Sequence, residues 1–240
     1  VKEVKEVKDI EEVKDIEEVK VQKSKKKKRE EILTEDSAKW ISLHRTTNII
    51  DKMLKKDGSP FKVLNDNDNV SINIIPKKEF TGEYHEKERQ KILNAIYFSD
   101  IALDLLAPYL DENTFVGMEG LSFGSSGNSL IDISMTTALI RAGVVKKINP
   151  DNFYVISPTT LKKFAVKGNA KKDELYCKLI EDRISEDRLK PLLNVLKEYK
   201  DLWIKGAGKV ENPCSDIIDA TWICLFIEEN LEKLLSGSKI

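Results

Sequence analysis

The sequence contains few cysteines, almost no net charge and no long apolar run. Its three cysteines, Cys177, Cys214 and Cys224, are far apart and form no CxxC pair, so they indicate neither a disulfide framework nor a zinc site. A cytoplasmic (intracellular) protein in a reducing compartment is therefore expected. The net charge of −1 means that any nucleic-acid-binding surface must be local. No apolar run approaches the roughly 18 residues of a membrane span, and there is no signal-peptide core, so we expect no membrane association.

Charge of both signs is abundant, and much of it lies in a low-complexity segment at the start of the chain. The sequence Val-Lys-Asp-Ile-Glu-Glu occurs at residues 7–12 and again at 13–18, and Val or Ile recurs at every third position. This period does not match the helical repeat of about 3.6 residues, so an apolar seam would drift around a helix. We predict a disordered or loosely helical tail over residues 1–31 and a folded domain over 32–240. The basic run at 23–29 is either a phosphate contact or localisation signal, or a solvated linker.

The spacing of apolar residues in the middle of the chain predicts an α/β domain. It indicates a helix, a buried strand, a second helix and another strand over residues 83–110, 115–118, 130–143 and 153–158. Strand–helix–strand spacing of this kind argues for parallel pairing with right-handed crossovers. We therefore expect βαβ units in a mixed sheet flanked by helices.

The front of the domain has a different pattern. Residues 61–64 and 70–76 are predicted to form an antiparallel hairpin, because the Asn/Asp-rich run between them is typical of a turn. Residues 39–48 are open to two interpretations. They form either a strand that enters a Thr-rich turn or a part of a helix that Asp36 or Ser37 caps.

Three acids stand out by their surroundings. Glu119 directly follows the predicted strand 115–118, at the carboxyl end where open α/β sheets place their chemistry. Asp216 and Asp219 face the same way in the first turns of the last predicted helix, which runs from about 216 to 235 with Ser215 as its N-cap. Asp216 can be explained by the helix dipole, and Glu119 could simply begin a surface loop. Asp219 precedes an almost wholly apolar run and needs a partner, and a divalent cation such as Mg²⁺ tolerates two or three carboxylates together.

Five lysines surround a Gly-Asn turn that leads into a predicted helix. They are Lys162, Lys163, Lys167, Lys171 and Lys172. Backbone N–H groups at a helix N-terminus, together with lysines, suit a nucleic-acid phosphate backbone. The alternative is a solvated basic loop.

Four short motifs occur in a fixed order along residues 60 to 230. They are Glu119-Gly-x-x-Phe123-Gly, Ser157-Pro158-x-x-Leu161-Lys162-Lys163, Gly168-Asn169-Ala170-x-Lys172 and Asp216-x-x-Asp219-Ala220. In this order they resemble the RuvC family of Holliday-junction resolvases, and most of all the RuvC-like proteins of bacteriophages. The resemblance implies an RNase H-like fold, a homodimer and Mg²⁺ as cofactor, with Mn²⁺ able to substitute. The implied activity is endonucleolytic resolution of four-way DNA junctions in recombination and repair.

The resemblance also implies roles for individual residues. Glu119, Asp216 and Asp219 would be catalytic metal ligands, and Lys172 would stabilise charge on the phosphate. Phe123 lies close to the position of an aromatic residue that wedges against bases at the crossover. Lys162 matches a further lysine of the family, and the neighbouring Lys163, Lys167 and Lys171 are expected to contact DNA.

One part of the family pattern is not matched. The family has a catalytic Asp in its first strand, whereas the corresponding stretch here, residues 41–48, has His44 at that position. The metal ligand from this region is therefore Asp36, or His44 replaces it, or the true first strand is absent. Loss of this acid would impair cleavage and leave DNA binding intact, so a catalytically impaired junction-binding protein is the alternative function. An RNase H-fold protein of other purpose is a third.

Overall fold

The computed structural model describes residues 38–45, 48–76, 80–120, 128–206 and 208–237. The predicted tail over 1–31, the metal ligand Asp36 and the wedge residue Phe123 lie outside these ranges. Residues 38–231 form one compact unit, which contains every residue discussed below except 232–235 at the end of the last helix.

The first structural unit is a pair of parallel strands with two helices between them. Strand β1 (Trp40–Arg45) pairs with β2 (Val70–Ile75), so that Trp40 lies opposite Val70 and Arg45 opposite Ile75. Helices α1 (Asn48–Lys56) and α2 (Ser59–Asn65) connect them. Of the two interpretations of residues 39–48, the strand is therefore confirmed.

The predicted antiparallel hairpin is wrong. Residues 61–64 lie in α2, and β2 pairs in parallel with β1 instead. Gly58 adopts a positive φ of 65° and Pro60 occupies the first turn, which starts a helix at this point. Phe61 and Leu64, three residues apart, are both buried on its inner face, so the short apolar run has the helical period and not the period of a strand.

The second unit repeats the arrangement and agrees with the predicted elements. Helix α3 (Tyr84–Leu106) ends in a short 3-10 turn, Ala107–Tyr109, and strand β3 (Val116–Glu119) follows. Helix α4 (Asn128–Val145) and a 3-10 turn, Pro150–Asn152, lead to β4 (Phe153–Ile156). Strands β3 and β4 are parallel, as predicted, with Glu119 opposite Ile156. Helices α3 and α4 run side by side in the same direction, since Ser99 donates to the Thr136 carbonyl and Gly143 faces Leu103.

Six further helices follow β4 in the described residues. They are α5 (Pro158–Ala165), α6 (Lys172–Arg183), α7 (Lys190–Glu198), α8 (Lys200–Trp203), α9 (Cys214–Glu229) and α10 (Leu231–Leu235). The last predicted helix is thus two helices. It begins at Cys214, so Ser215 lies inside it and is not the N-cap.

Helix α9 is the centre of the packing. It contacts β3, α5 and α6, and Phe164 of α5 packs edge-on against Trp222 and Phe226. Trp222 also donates its indole N–H to the Leu175 carbonyl of α6, 3.2 Å away. An all-round apolar helix of this kind has to be buried by several neighbours.

The fold is mixed α/β with short parallel strand pairs. In the part of the chain described, β1–β2 and β3–β4 are separate two-stranded sheets. No helix in these ranges combines the length and the apolar character that crossing a bilayer requires.

Gly117 permits the close approach of α9 to β3, and its replacement by Ala tests this packing. An added Cβ would lie 2.6 Å from Cγ2 of Ile223 and 3.1 Å from Cγ1 of Ile227. We expect Gly117→Ala to lower the free energy of unfolding by about 1–3 kcal/mol through overpacking, measured by urea denaturation. Gly120→Ala is the control, because its Cβ meets nothing closer than 3.4 Å. Equal stability of the two variants would contradict this account.

Candidate active site

The first element of the site is the buried face of β1. Trp40, Ser42 and His44 alternate along the strand and are all buried. The Trp40 indole N–H donates to Oγ1 of Thr221 at 3.0 Å, which ties β1 to α9. With this tie in place, His44 lies beside the first turn of α9, and its Nδ1 is 3.9 Å from Oδ2 of Asp216.

His44 is held as a neutral side chain. Its other ring nitrogen, Nε2, is hydrogen-bonded to the Ser42 hydroxyl, and only 7% of the side chain is exposed. Burial lowers the pKa of His44, and the nearby charge of Asp216 opposes this shift without reversing it. The uncharged form of the imidazole, which has a lone pair for a hydrogen bond or a metal ion, is therefore favoured more than in a free side chain.

Glu119 contributes the second element, from the end of β3. The strand end is fixed on both sides, since the Gly120 N–H donates to the Ile156 carbonyl at 2.7 Å and Arg141 donates to the Glu119 carbonyl at 3.1 Å. Burial raises the pKa of Glu119, and the charge of Asp219 adds to the rise. The Glu119 side chain therefore lies within electrostatic reach of α9.

The third element is the first two turns of α9. Burial also raises the pKa of Asp216, with His44 opposing and Asp219 reinforcing the shift. Even so, 53% of the Asp216 side chain is exposed to solvent. One side of this side chain therefore faces solvent, and protein surrounds its other sides. Asp219 is more enclosed and forms an ion pair with the ammonium group of Lys172, the first residue of α6.

The lysines that were predicted to bind DNA divide into two groups. The positive charges of Lys172 and Lys162 both oppose the rise in the pKa of Glu119, so these two face the acids. Lys167 instead forms a 2.8 Å ion pair with Glu174. The side-chain carbons of Lys163 and Lys171 lie against glycines, Gly168 and Gly208 respectively.

The turn between α5 and α6 has the form that the sequence predicted. Ser157 caps α5, and its hydroxyl accepts from the Thr160 N–H at 3.0 Å. The predicted Gly-Asn turn leads to the start of α6 at Lys172. There the Glu174 carboxylate accepts from the Lys171 N–H at 2.8 Å, which fixes the first turn and hence the origin of the Lys172 side chain.

The chemistry of this donor set suits a divalent cation. His44 lies 3.9 Å from Asp216, and the charges of Asp216 and Asp219 both act on Glu119; hard divalent cations take carboxylate oxygens as ligands. Burial and the charge of Asp219 raise the pKa of both Glu119 and Asp216, and Lys172 opposes both shifts. Within the described ranges, no group of three or more His, Cys, Asp or Glu side chains is already assembled as a metal site. The Asp219–Lys172 ion pair occupies part of the donor set.

The structure thus brings together Glu119, Asp216, Asp219, Lys172 and Lys162, and it adds His44 to them. Sequence reasoning missed two residues that position the site: Ser42, which bonds His44, and Arg141, which holds the strand end. A signal for Ser42 was present, because Ser42 and His44 lie two apart on the same face of β1 as Trp40. A buried polar pair on such a face needs partners.

Comparisons with models of protein families, with curated proteins and with solved structures found no match for this chain. The function therefore has to be argued from the chemistry of the site.

The raised pKa of Glu119 predicts a pH-dependent stability. A carboxyl whose pKa is higher in the folded than in the unfolded protein destabilises the fold increasingly as pH rises from the unfolded to the folded pKa. We expect Glu119→Gln, which is uncharged, to be more stable than the parent at pH 7, because it does not lose the free energy that ionisation of Glu119 costs the folded protein. The difference should disappear below the ordinary carboxyl pKa of 4.5. Denaturation at several pH values measures this, with the exposed Glu181→Gln as control.

Proposed function

We propose that this protein is a Mg²⁺-dependent, structure-selective endonuclease that resolves four-way DNA junctions. The observation that supports the proposal is that the charges of Asp216, Asp219, Lys172 and Lys162 all act on Glu119, and that Lys172 forms an ion pair with Asp219. Carboxylates with lysines beside them are suited to binding metal ions that contact a phosphodiester. The RNase H-like fold implied by the sequence motifs is part of the same proposal. The parallel β3–β4 pair and the acid at the end of β3 are compatible with it, whereas the parallel pairing of β1 with β2 departs from the antiparallel front that was expected.

The roles of the residues follow from their positions. Glu119, Asp216 and Asp219 would hold the cations, which in such sites activate a water molecule and stabilise the leaving oxygen. Lys172 exchanges its bond to Asp219 for the substrate phosphate and offsets charge that develops there. His44 orients Asp216 from the side of β1, because it is buried and its own ring is fixed by Ser42.

Binding of DNA is assigned to the basic surface around α5 and the start of α6. Lys162 lies on the side of the acids, whereas Lys163, Lys167 and Lys171 extend the positive charge along the turn between the two helices. In a chain with a net charge of −1, a local cluster of this kind supplies the attraction to phosphate. Lysines contact the backbone and do not read bases, so selectivity for junctions comes from DNA shape.

A second function is favoured by a specific observation. His44 lies in the first strand, where the family resemblance implies an aspartate, and it faces Asp216 at 3.9 Å. A neutral imidazole contributes no negative charge, and Mg²⁺ prefers oxygen ligands. The alternative is therefore a protein that binds branched DNA and cuts it slowly or not at all.

Cleavage of a synthetic four-way junction tests the proposal directly. With Mg²⁺, we expect paired nicks in the junction and none in linear duplex or an RNA–DNA hybrid, and EDTA should abolish them. Glu119→Gln removes a cation ligand and should lower the cleavage rate at least about a hundredfold. Junction binding, measured by fluorescence anisotropy, should change by less than about threefold, because Gln retains the size of Glu and the lysines are untouched.

Glu181→Gln, an exposed glutamate in the last turn of α6, is the matched control and should cut at the parental rate. Full activity of Glu119→Gln would refute the site assignment. Tight binding by the parent protein without cutting would select the alternative function. Cutting of the hybrid alone would assign a ribonuclease activity.

Substitution of His44 by Asp tests the role of the first strand. The added carboxylate beside Asp216 should tighten Mg²⁺ binding by about tenfold or more and accelerate cleavage. The same two like charges should destabilise the metal-free protein, and Mg²⁺ should restore its stability. Isothermal titration calorimetry and thermal unfolding, with and without Mg²⁺, measure both effects.

His44→Asn is the control for the loss of the imidazole, since it is polar and carries no charge. An unchanged affinity for Mg²⁺ in His44→Asp would show that this position does not face the cation.

A further inference from the structure

The chain reverses direction between α8 and α9, and two lysines lie at the reversal. Ile204 and Val210 form an antiparallel β-bridge, and beside it the Glu211 N–H donates to the Trp203 carbonyl at 2.8 Å. These contacts close the base of a short loop. Its described residues, which we call the lysine loop, are Lys205, Gly206, Gly208 and Lys209. Both lysines are exposed, so their ammonium groups are accessible to a ligand.

The lysine loop is fastened to the first turn of α6, next to the candidate active site. The Gly208 N–H donates to Oδ2 of Asp173 at 2.8 Å, and a Cβ added to Gly208 would lie 2.8 Å from Cδ of Lys171. Gly208 also has a φ of 82°, so both conformation and space favour glycine there. Asp173 directly follows Lys172, which forms the ion pair with Asp219. The loop is therefore attached beside the lysine that reaches the acids.

The other end of the lysine loop leads into the helix that carries two of those acids. Helix α9 begins at Cys214, shortly after Val210, and Asp216 and Asp219 are in its first two turns. The loop thus connects the start of α6 to the start of α9. A ligand that contacts the site from either helix has the lysine loop close to it.

The contacts that hold the lysine loop do not neutralise its charge. Lys205 donates to the Asp201 carbonyl at 2.7 Å, which is an uncharged group. The Asp173 carboxylate accepts from the backbone N–H of Gly208 and not from a loop lysine. No ion pair between residues that the structure describes includes Lys205 or Lys209. Both positive charges are therefore left for a ligand.

The outer part of the lysine loop is open to a close approach. Gly206 has a φ of 136°, and a Cβ added to it would meet nothing within 4 Å. A ligand can thus come near the backbone as well as the exposed side chain of Lys209. Lysine ammonium groups and backbone N–H groups are the donors with which proteins contact nucleic-acid phosphates. The chemistry of the loop suits a phosphate backbone.

We propose that the lysine loop is a further binding element for the DNA backbone, separate from the lysines around α5. Lys205 and Lys209 each bind a phosphate, and because both basic elements adjoin the first turn of α6, one DNA strand can contact both. The inference rests on the proposed function for its ligand, branched DNA, but not for cleavage. The loop contributes to affinity and takes no part in the chemistry at the acids.

Removal of the two charges tests the lysine loop. Each lysine–phosphate contact contributes about 0.9 to the slope of log affinity against log salt concentration. We expect the double variant Lys205→Gln/Lys209→Gln to bind a four-way junction at least about fivefold more weakly at moderate salt, and to reduce this slope by about 1–2. Fluorescence anisotropy over a range of salt concentrations, in EDTA so that no strand is cut, measures both quantities on the full chain.

Lys146→Gln/Lys147→Gln is the matched control. It removes two exposed lysines that precede β4, whereas Glu119 lies opposite Ile156 at the other end of that strand. Both the affinity and the salt slope of this variant should stay within about twofold of those of the parent, because the charges lie away from the site. Circular dichroism checks that both double variants fold.

The outcomes separate the lysine loop from the proposed nuclease. If the parent binds and cuts junctions and the loop variant binds them as the parent does, the loop proposal is overturned and the proposed function stands. Equal losses in the loop variant and the control also overturn it, since a general effect of charge would explain both. A parent that binds junctions without cutting, and a loop variant that alone loses affinity, support the loop and refute the nuclease activity. A parent that binds no DNA overturns both.

Discussion

The site depends on the burial of one helix. Helix α9 packs its apolar side chains on β3, α5 and α6, and Ile218 and Trp222 are almost completely inaccessible to solvent. Burial of such side chains contributes about 2 kcal/mol each, so the position of the helix is strongly fixed. Asp216 and Asp219 are in its first two turns and cannot move away without unpacking it. The core thus holds the two carboxylates in place.

The same packing creates an electrostatic imbalance at the surface of the domain. Glu119 and Asp216 are surrounded by enough protein that their pKa values rise, and each is affected by Asp219. Lys172 offsets part of this charge through Asp219, and Lys162 offsets part through its effect on Glu119. Carboxylates that repel one another favour any cation that comes between them. The cost of holding the acids together is the physical basis for a cation-binding role.

Sequence reasoning identified the long-range grouping better than the local structure at the front of the domain. Glu119 and Asp219 were recognisable because each acid directly adjoins an apolar run, a conflict that a folded protein has to resolve. The segment 61–64 was misread because four residues are too few to separate the period of a strand from that of a helix. The sequence also does not determine the role of His44. Ser42 and His44 are polar residues on the inner face of β1, so the alternation of apolar and polar residues that identifies a strand is missing there. Their burial depends on Thr221, far away along the chain, which accepts a hydrogen bond from Trp40.

The presence of an imidazole in β1 changes the balance between stability and cation affinity. A carboxylate at position 44 would add a further negative charge about 4 Å from Asp216, a separation at which like charges interact strongly when partly buried. The neutral His44 avoids this repulsion, so the metal-free protein keeps a more stable β1–α9 contact. The cluster has fewer negative charges with which to attract a hard cation. Imidazole is a better ligand for Mn²⁺ and other transition metals than for Mg²⁺. Under the proposed function, the balance between cutting DNA and only binding it would depend on how far Glu119, Asp216 and Asp219 compensate for the acid that the family resemblance implies at position 44.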